Sequence, residues 1–415
     1  MQNMIGKIKR FVKSNAWLFT GLKQALIYLR YLKSIGKKSV YDSLPLFAVD
    51  DIITISSKGY HCYYGYYDKS PLNSDSKYAL FLKVAKNAKE GDEVEVCVYD
   101  IEHKTHKTIG LTRSWNWQQG AMEQWIERKT VSYNCFDKEE KQYKTVSVNI
   151  ETGETKSTPR AAYFYNKDFT KYLSLNFHRL DIFAKGYGYP FDVDSMDARQ
   201  DGIWEVDVQR KEPKLILSLA DVMSFEQKDY MQCQHYINHV AYCPDERYII
   251  FIHRWQVKGG EFASRLLKYD LHGKKLMALL DNGHVSHYCW KATNELMIYA
   301  TNEKGEKGYM VVDIETGKNY LLEGLPEVDG HPTYSNNGEW VVTDTYPNIH
   351  RDQYLFLFRT VDKKLFCLDK LYSPFKYFNE SRCDLHPRWS KDNQYVLVDN
   401  TSKGLRTVNI YKVKI

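Results

Sequence analysis

Several common signatures are missing from this chain of 415 residues. No run approaches the roughly 18 uncharged apolar residues that a transmembrane helix needs, so no membrane-spanning helix is predicted. No nucleophile elbow, Walker loop or dinucleotide fingerprint occurs, which argues against a serine hydrolase and against a nucleotide cofactor. The eight cysteines form no CxxC pair. Several of them lie in predicted strands, which is typical of buried thiols in a reducing compartment.

Acidic residues are absent from the first 40 positions, which contain nine lysines and arginines. The net charge of the whole chain is +6, so the residues after position 40 carry a small negative balance of −3. The body of the protein is therefore not basic. A nucleic-acid partner is not predicted, because such partners need a positively charged surface.

The basic N-terminal segment also carries two apolar stripes at helical spacing, with the cations between them. We predict a basic amphipathic helical segment over residues 1–45, followed by one domain over 46–415. The apolar stretch after Ala16 is broken by Lys23, and no small-residue cleavage site follows, which argues against a secretory signal. Three interpretations stay open: the helix lies on an anionic membrane surface, it packs on the domain, or it is an atypical signal. The expected location is cytoplasmic and peripheral at the inner membrane, with export as the alternative.

A short phrase with a histidine three residues before an aromatic occurs four times in the C-terminal half. The copies are residues 238–242, 286–290, 330–334 and 385–389. Each is followed by a polar turn and by a run rich in β-branched and aromatic residues, which is typical of a buried strand. A further strand pattern recurs seven times, near residues 99, 149, 206, 269, 312, 358 and 410.

Repeats of roughly 40–50 residues with about four strands each are typical of a β-propeller. We predict an all-β fold, a seven-bladed β-propeller with a short basic α-helical N-terminal segment. The strand beginning at Ile52 is expected to pair with the last blade and close the ring, which removes open sheet edges. A pair of open sandwiches or separate domains is the alternative, but no linker-like stretch divides the seven units.

In a closed ring, the four histidines of the repeated phrase converge on one axis. These residues are His239, His287, His331 and His386. Histidine is a frequent ligand of transition metals, and a site needs three or four convergent ligands. Metal binding, direct substrate binding and structural packing are all open. Asp344, Cys289 and Cys383 are the candidate additional ligands.

Other clusters of polar and aromatic residues fall at predicted strand ends. His178 and Arg179 are adjacent, so they cannot both face one side of a strand, and Tyr189 follows in a loop that we expect to be exposed. An arginine, a histidine and a tyrosine on one rim suit β-elimination on a uronic acid, with arginine on the carboxylate and the others moving protons. Sugar stacking and hydroxyl recognition are the expected roles of a further set. These candidate substrate-binding residues are Tyr64, Tyr67, Asn116, Gln119, His253, Arg254 and Tyr346.

Five phrases together resemble the seven-bladed polysaccharide lyases of the oligogalacturonate lyase and ulvan lyase type. They are residues 64–71, 115–120, 329–335, 343–347 and 382–389. The resemblance spans most of residues 55–410. It implies a uronate-containing oligosaccharide or polysaccharide and a divalent metal such as Mn, Zn or Ca, held by His287, His331 and His386. It also implies acid, base and carboxylate-binding roles for His239, Tyr189 and Arg179.

The chain departs from that pattern in two places. Gln118 and Gln119 stand where a catalytic histidine is expected, and a basic helix replaces a signal peptide. The leading hypothesis is a carbohydrate-active lyase that performs β-elimination on uronic-acid-containing chains. The second is a non-catalytic glycan-binding or scaffold propeller for cell-surface polysaccharide biosynthesis at the cytoplasmic membrane face.

Overall fold

Seven four-stranded antiparallel sheets account for most of the regular structure. The computed structural model describes residues 16–227, 234–257 and 262–415, with side chains from residue 21 onward. The sheets follow one another along the chain as the blades of a β-propeller, which confirms the predicted fold class. The first strand of each blade lies nearest the central axis, so its residues can meet those of the other blades.

The strands of blades one to three are β2 (Tyr60–Tyr63), β3 (Tyr78–Ala85), β4 (Val94–Asp100), β5 (Thr105–Thr112), β6 (Gln124–Glu127), β7 (Thr130–Asp137), β8 (Gln142–Asn149), β9 (Thr155–Pro159), β10 (Phe164–Tyr165), β11 (Lys171–Ser174), β12 (Gly202–Asp207) and β13 (Glu212–Ser218). Those of blades four and five are β14 (His235–Tyr242), β15 (Tyr248–Gln256), β16 (Phe262–Asp270), β17 (Leu276–Leu280), β18 (Val285–Ala292), β19 (Glu295–Thr301), β20 (Lys307–Asp313) and β21 (Asn319–Leu321). Those of blades six and seven are β22 (Thr333–Tyr334), β23 (Trp340–Asp344), β24 (Asp352–Arg359), β25 (Lys364–Tyr372), β26 (Arg388–Trp389), β27 (Tyr395–Asn400), β28 (Thr407–Val413) and β1 (Val49–Ile55).

Blade seven combines the two ends of the propeller. Its outermost strand is β1, which pairs antiparallel with β28 so that Ile52 faces Tyr411 and Thr54 faces Asn409. The closure predicted for the strand at Ile52 is therefore confirmed. The ladder covers the exposed edge that the last blade would otherwise present to solvent.

Three α-helices of the described residues lie outside the blades. They are α1 (Ala16–Ser34), α2 (Phe177–Phe183) and α3 (Leu219–Ser224). Asn176 caps α2 by accepting a hydrogen bond from the Arg179 amide, so the stretch interpreted as a strand near His178 is helical. In the described part of the chain, none of the helices combines the length and the apolar character that crossing a membrane requires.

The core lies between neighbouring blades. Between blades four and five, for example, Ile252 and Leu266 pack with Ile298 and Met310, and all four side chains are buried. Alternate residues of each strand face opposite sides of its sheet, so each blade contributes one apolar surface to each neighbour. This packing holds the first strands in register around the axis.

One carboxyl group, that of Glu123, is buried just before β6. Glu123 is 1% exposed and accepts a hydrogen bond of 2.8 Å from the Ala121 amide. Burial raises the pKa of Glu123 from 4.5 to about 8. The folded protein therefore keeps a proton that the unfolded chain loses, and the contribution of this group to stability falls as pH rises through that window.

We expect Glu123→Gln to gain stability relative to the unsubstituted protein as pH rises from about 5 to about 8. The gain is at most about 1.4 kcal/mol per pH unit, the value of one pKa unit. Urea unfolding at both ends of the window measures it. Glu139→Gln, at an exposed loop position, is the matched control. If both variants track the unsubstituted protein at every pH, Glu123 is not protonated in the folded state.

Candidate functional site

The four histidines of the repeated phrase meet at one end of the central channel. Ring centroids are 4.1 Å apart for His287 and His331, 4.3 Å for His331 and His386, and 5.6 Å for His239 and His287. All four side chains are buried, with 1–6% of their surface exposed. The predicted convergence of imidazoles from successive blades is thus observed.

Irregular backbone turns these histidines toward the axis. The pairing of β14 with β15 shifts register between Asn238 and Ala241, and that of β18 with β19 shifts between Val285 and Tyr288. Such bulges re-aim side chains and are frequent beside functional sites. His239 and His386 also have left-handed backbones, with φ of 51° and 47°. A non-glycine residue in this region costs free energy and persists where the surrounding structure holds it.

Each of three imidazoles is held at Nδ1 by an acceptor. Nδ1 of His331 lies 2.9 Å from a carboxylate oxygen of Asp344, and that of His386 donates to the Gly65 carbonyl at 2.7 Å. Nδ1 of His287 lies 3.0 Å from the Ser286 hydroxyl and 3.3 Å from Asp329. A carbonyl can only accept, so the proton of neutral His386 is on Nδ1 and the lone pair is on Nε2.

The opposite nitrogens of two imidazoles are unpaired. Nε2 of His331 and Nε2 of His386 are buried and have no hydrogen-bond partner among the residues that the structure describes. A histidine held at one nitrogen and free at the other is the usual arrangement of a metal ligand. Burial keeps the pKa of His386 well below its usual range, which leaves its imidazole neutral and able to coordinate.

Asp384 completes a candidate cation site. One ligand atom from each of His331, Asp384 and His386 lies within 4.8 Å of the other two. The Asp384 carboxylate also accepts two hydrogen bonds from Arg382, at 2.6 and 2.7 Å. His287 borders the group through its contact with His331. Two imidazoles and a carboxylate are a ligand set that suits Mn, Fe or Zn.

Two tyrosines form the floor of the cluster. The Tyr66 hydroxyl lies 2.9 Å from Nδ1 and 3.2 Å from Nε2 of His239. The Tyr67 hydroxyl donates to the Tyr288 carbonyl at 2.8 Å, and its ring touches His287 and His331. Burial raises the pKa of both phenols well above 10, so both keep their protons at neutral pH.

The outer rim of the histidine end carries tyrosines and arginines. The ring centroid of Tyr346 lies 5.7 Å from that of His331, and the ring centroid of Tyr187 lies 6.2 Å from that of Tyr66. Tyr346 and Tyr187 are half-buried. The Arg382 guanidinium lies 4.7 Å from the Tyr346 ring. The Nε of Arg254 donates to Asn238 at 3.2 Å, beside His239 in the chain. This rim can contact both a sugar ring and a carboxylate.

Two of the predicted substrate-binding residues, Arg254 and Tyr346, lie on this rim, and Tyr67 lies in the floor. Gln119 is linked to His239 through Tyr163. The Gln119 Nε2 donates to the Tyr163 hydroxyl at 3.0 Å, and the same hydroxyl accepts a hydrogen bond from the His239 amide at 3.0 Å. The structure therefore brings four of the seven candidates near the histidines.

The remaining three candidates are internal. His253 is 0% exposed and lies between His235 and Arg265, at 2.9 and 3.1 Å. Asn116 uses its carboxamide oxygen to hold the amides of the turn that follows it. Tyr64 is buried under Arg388, whose guanidinium lies 4.9 Å from its ring. These side chains support the fold of the rim and do not face the histidine cluster.

Three of the four candidate catalytic residues lie away from the cluster. Tyr189, expected on an exposed loop, is 0% exposed because it stacks on Phe177 at 4.4 Å and receives a hydrogen bond from Asn134. Arg179 is paired with Asp201 inside blade three. His178 faces Asp192 at 3.6 Å. His239 alone of this set belongs to the cluster.

The additional metal ligands suggested by the sequence take other roles. Asp344 orients His331 through Nδ1, and Cys383 points to the Asp384 carbonyl at 3.8 Å. Burial raises the pKa of Cys289 to about 12, so this thiol stays protonated. The sequence did not indicate Asp384 as a ligand. It stands two residues before His386, and side chains two residues apart on an extended chain point to the same side.

The fold and the cluster define a class: a seven-bladed β-propeller with four buried histidines from successive blades gathered around its axis. No family model and no curated protein matches the sequence. Two solved structures are similar over nearly their full length. An oligogalacturonate lyase from Vibrio parahaemolyticus has a TM-score of 0.63 and 14% identity, covering 90% of this chain and 97% of its own. An oligogalacturonate lyase in complex with manganese has a TM-score of 0.64 and 14% identity, covering 90% and 96%. The resemblance inferred from the sequence is confirmed at the level of the fold.

Proposed function

We propose that this protein binds a uronate-containing oligosaccharide or polysaccharide at the histidine end of its channel and cleaves it by β-elimination with a divalent metal bound. One observation carries the proposal: three imidazoles converge there, each held at Nδ1, the Nε2 atoms of His331 and His386 have no partner among the described residues, and the buried Asp384 carboxylate lies close to both rings. A purely structural histidine would pair both nitrogens or face solvent.

The residues fit a divalent metal. His331, His386 and Asp384 would hold it, with His287 at the edge, and Asp344 and the Gly65 carbonyl would orient the two imidazoles. His386 is neutral and can coordinate directly, whereas the Asp344 carboxylate outweighs burial and raises the pKa of His331, so a metal would displace a proton from that imidazole. A bound divalent ion would act as a Lewis acid toward a substrate oxygen. One of the two similar lyase structures is a manganese complex, which supports this metal as the first to test.

The charges of the rim suit a carboxylated sugar. The Arg254 guanidinium is half-exposed beside Asn238, and its charge lowers the pKa of His239 after the larger effect of burial. A uronate carboxylate beside Arg254 would be neutralised, which acidifies the adjacent C5–H bond. Tyr346 and Tyr187 offer ring faces with polar edges for the sugar.

The proton transfers can be assigned to His239 and Tyr66. Burial and neighbouring cations keep the pKa of His239 well below its usual range, so it is a neutral base at pH 7. His239 takes the C5 proton, the electron pair forms the C4–C5 double bond, and the C4–O bond breaks. Tyr66 gives its proton to the departing oxygen and recovers one from His239 through their 2.9 Å contact. Protons and electrons balance in these steps without an oxidant or reductant.

The function is tested with full-length protein, manganese and a series of uronate polymers. Elimination produces an unsaturated uronate that absorbs ultraviolet light. We expect activity that chelation removes, metal near one ion per chain by elemental analysis, and a loss of both in His331→Ala. His178→Ala, a histidine outside the cluster, is the matched control. Metal and glycan binding without product from any uronate would identify a non-catalytic binding module instead.

We also propose that α1 attaches the protein to the cytoplasmic face of an anionic membrane. Its inner side packs on the propeller, with the Tyr31 ring 5.1 Å from Phe375. The opposite side carries a stripe of leucines that are 44–55% exposed: Leu22, Leu26, Leu29 and Leu32. Lysines and arginines flank this stripe, and residues 1–40 contain no acid. An exposed apolar stripe with basic flanks suits a bilayer with anionic headgroups.

We expect full-length protein to sediment with vesicles containing phosphatidylglycerol and much less with phosphatidylcholine vesicles, with binding that weakens as salt rises. Leu26→Glu should reduce binding at least about tenfold, because it places a charge in the apolar stripe. Leu111→Glu, 50% exposed on β5, is the matched control. Equal binding to both vesicle types, or unchanged binding by Leu26→Glu, would contradict the proposal.

A further inference from the structure

A second cavity opens at the other end of the channel. It has a volume of about 970 Å³, and the turns between the first and second strands of several blades surround it, with Pro244, Asn336 and Lys391 among the lining residues. Three of the four aromatics that follow the histidines by three positions end here, since Tyr242, Trp290 and Trp389 line the wall. The repeated phrase therefore supplies a histidine to one end of the channel and an aromatic to the other. We call this space the turn-side cavity.

Tyr67 and His239 bound the turn-side cavity on the side of the histidine cluster. The cavity continues inward to a chamber of about 160 Å³, with which it shares Asp68, Phe164 and Trp290. The chamber ends at Tyr67 and His239. Tyr67 is 3% exposed and anchored by its hydroxyl to the Tyr288 backbone. A ligand in the turn-side cavity is thus held apart from the proposed metal site.

Three residues that line this space each carry a buried polar atom that has no partner among the described residues. Within the described ranges, Asp68 Oδ1, Gln124 Nε2 and Trp290 Nε1 are buried and make no hydrogen bond. The two other indoles of the wall differ, since Trp125 donates to the Pro71 carbonyl at 2.8 Å and Trp389 to the Thr333 carbonyl at 3.1 Å. Buried polar groups are normally paired, so these three atoms indicate a place for a polar ligand.

The chemistry of the lining specifies the ligand. Indole and phenol faces provide flat apolar surfaces, while the three unpaired atoms provide one acceptor and two donors. Lys69 neutralises the Asp68 carboxylate at 2.7 Å, so the inner end offers no net charge to an ion. A hydroxyl group both donates and accepts, and a ring of CH groups stacks on an indole. A polyhydroxylated ring compound uses all of these features at once.

We propose that the turn-side cavity is a second binding site, for a neutral saccharide. Its hydroxyls pair with Asp68, Gln124 and Trp290, and its ring stacks on the tryptophans of the wall. The site depends neither on a metal nor on uronate chemistry, so it stands apart from the function proposed for the histidine end.

Isothermal titration of full-length protein tests this site. The probes are glucose, galactose, mannose, N-acetylglucosamine and their disaccharides, with galacturonate as the charged comparison. We expect at least one neutral sugar to bind. Trp290→Phe keeps an aromatic ring but removes the N–H donor and should weaken binding about tenfold, the value of one good hydrogen bond. Asp68→Asn should weaken it at least as much.

Two further variants test whether the sugar binds in the turn-side cavity and not elsewhere. Trp204→Phe, whose indole lies under Arg160 in blade three, is the matched control and should bind like the unsubstituted protein. His331→Ala should also bind normally, even if it loses metal. The proposal is overturned if no neutral sugar binds, if Trp290→Phe and Asp68→Asn bind normally, or if His331→Ala abolishes binding. The last result would assign the sugar to the histidine end.

Discussion

His239→Asn is expected to lower the rate of uronate elimination by about 10²–10⁴-fold, the usual contribution of a positioned base. His239 is the histidine bonded to Tyr66, and its low pKa makes it a neutral base. Asparagine suits the test because it tolerates the left-handed backbone at this position, where φ is 51°. The change therefore removes the imidazole with little effect on folding.

The measurement compares kcat with metal content and with the unfolding temperature. We expect kcat to fall, while metal content and unfolding temperature stay close to those of the unsubstituted protein. His178→Asn controls for the loss of any imidazole, because His178 lies on α2 away from the cluster. An elimination rate that is equal in His239→Asn and the unsubstituted protein would remove His239 from the mechanism.

Arg388→Met is expected to cost about 3–5 kcal/mol of stability, the typical loss when one partner of a buried ion pair is removed. Arg388 is 1% exposed and donates to Asp399 at 2.8 Å and to the Tyr66 carbonyl at 2.9 Å. It also donates to the Gly65 carbonyl, the same group that fixes His386. Without the guanidinium, the Asp399 carboxylate stays buried with only the amides of residues 64 and 65 as partners.

Urea unfolding of Arg388→Met measures this loss. Arg359→Met is the control: its pairing with Asp362 is at the surface, with side chains 38% and 43% exposed, and should contribute less than about 1 kcal/mol. Adding Asp399→Asn to Arg388→Met should recover part of the loss, because asparagine keeps an acceptor and removes the charge. A loss for Arg388→Met no larger than that of the control would show that this pair does not support the loop under His386.

Periodic patterns predicted the parts of this molecule that depend on repetition. The spacing of the strand runs indicated seven blades, and the fixed position of histidine in each repeat indicated that His287, His331 and His386 would meet. Both follow from geometry: equivalent positions in a closed ring lie at equal distances from its axis. A strand at Ile52 was recognisable because a ring needs a closing partner.

The parts that depend on packing between distant segments were not predictable in the same way. Tyr189 lies in a tyrosine-rich loop that looked exposed, but Phe177 and Tyr143 bury it against blade two. His253 and Arg254 are neighbours on β15, and alternation sends one inward and the other to the rim. The sequence did not indicate which of the two faced the site, since that depends on which blade lies beside it.

The distinction between a ligand and an orienting group also required the structure. Asp344 and Asp384 are both close to histidines in space, yet Asp344 holds Nδ1 of His331, while Asp384 groups with His331 and His386 as a candidate ligand. Both are carboxylates near strand ends in the sequence. Only the direction of each imidazole separates their roles.

The pairing of β1 with β28 determines when the ring of blades can close during synthesis. β1 is synthesised before the other strands of the propeller and β28 after them, so the growing chain holds an unfinished arc until β28 has been made. The histidine end draws on blades four to seven together with the loop after β2, and its imidazoles cannot reach their final spacing in that arc. The metal site proposed here would therefore be complete only once β28 has paired with β1.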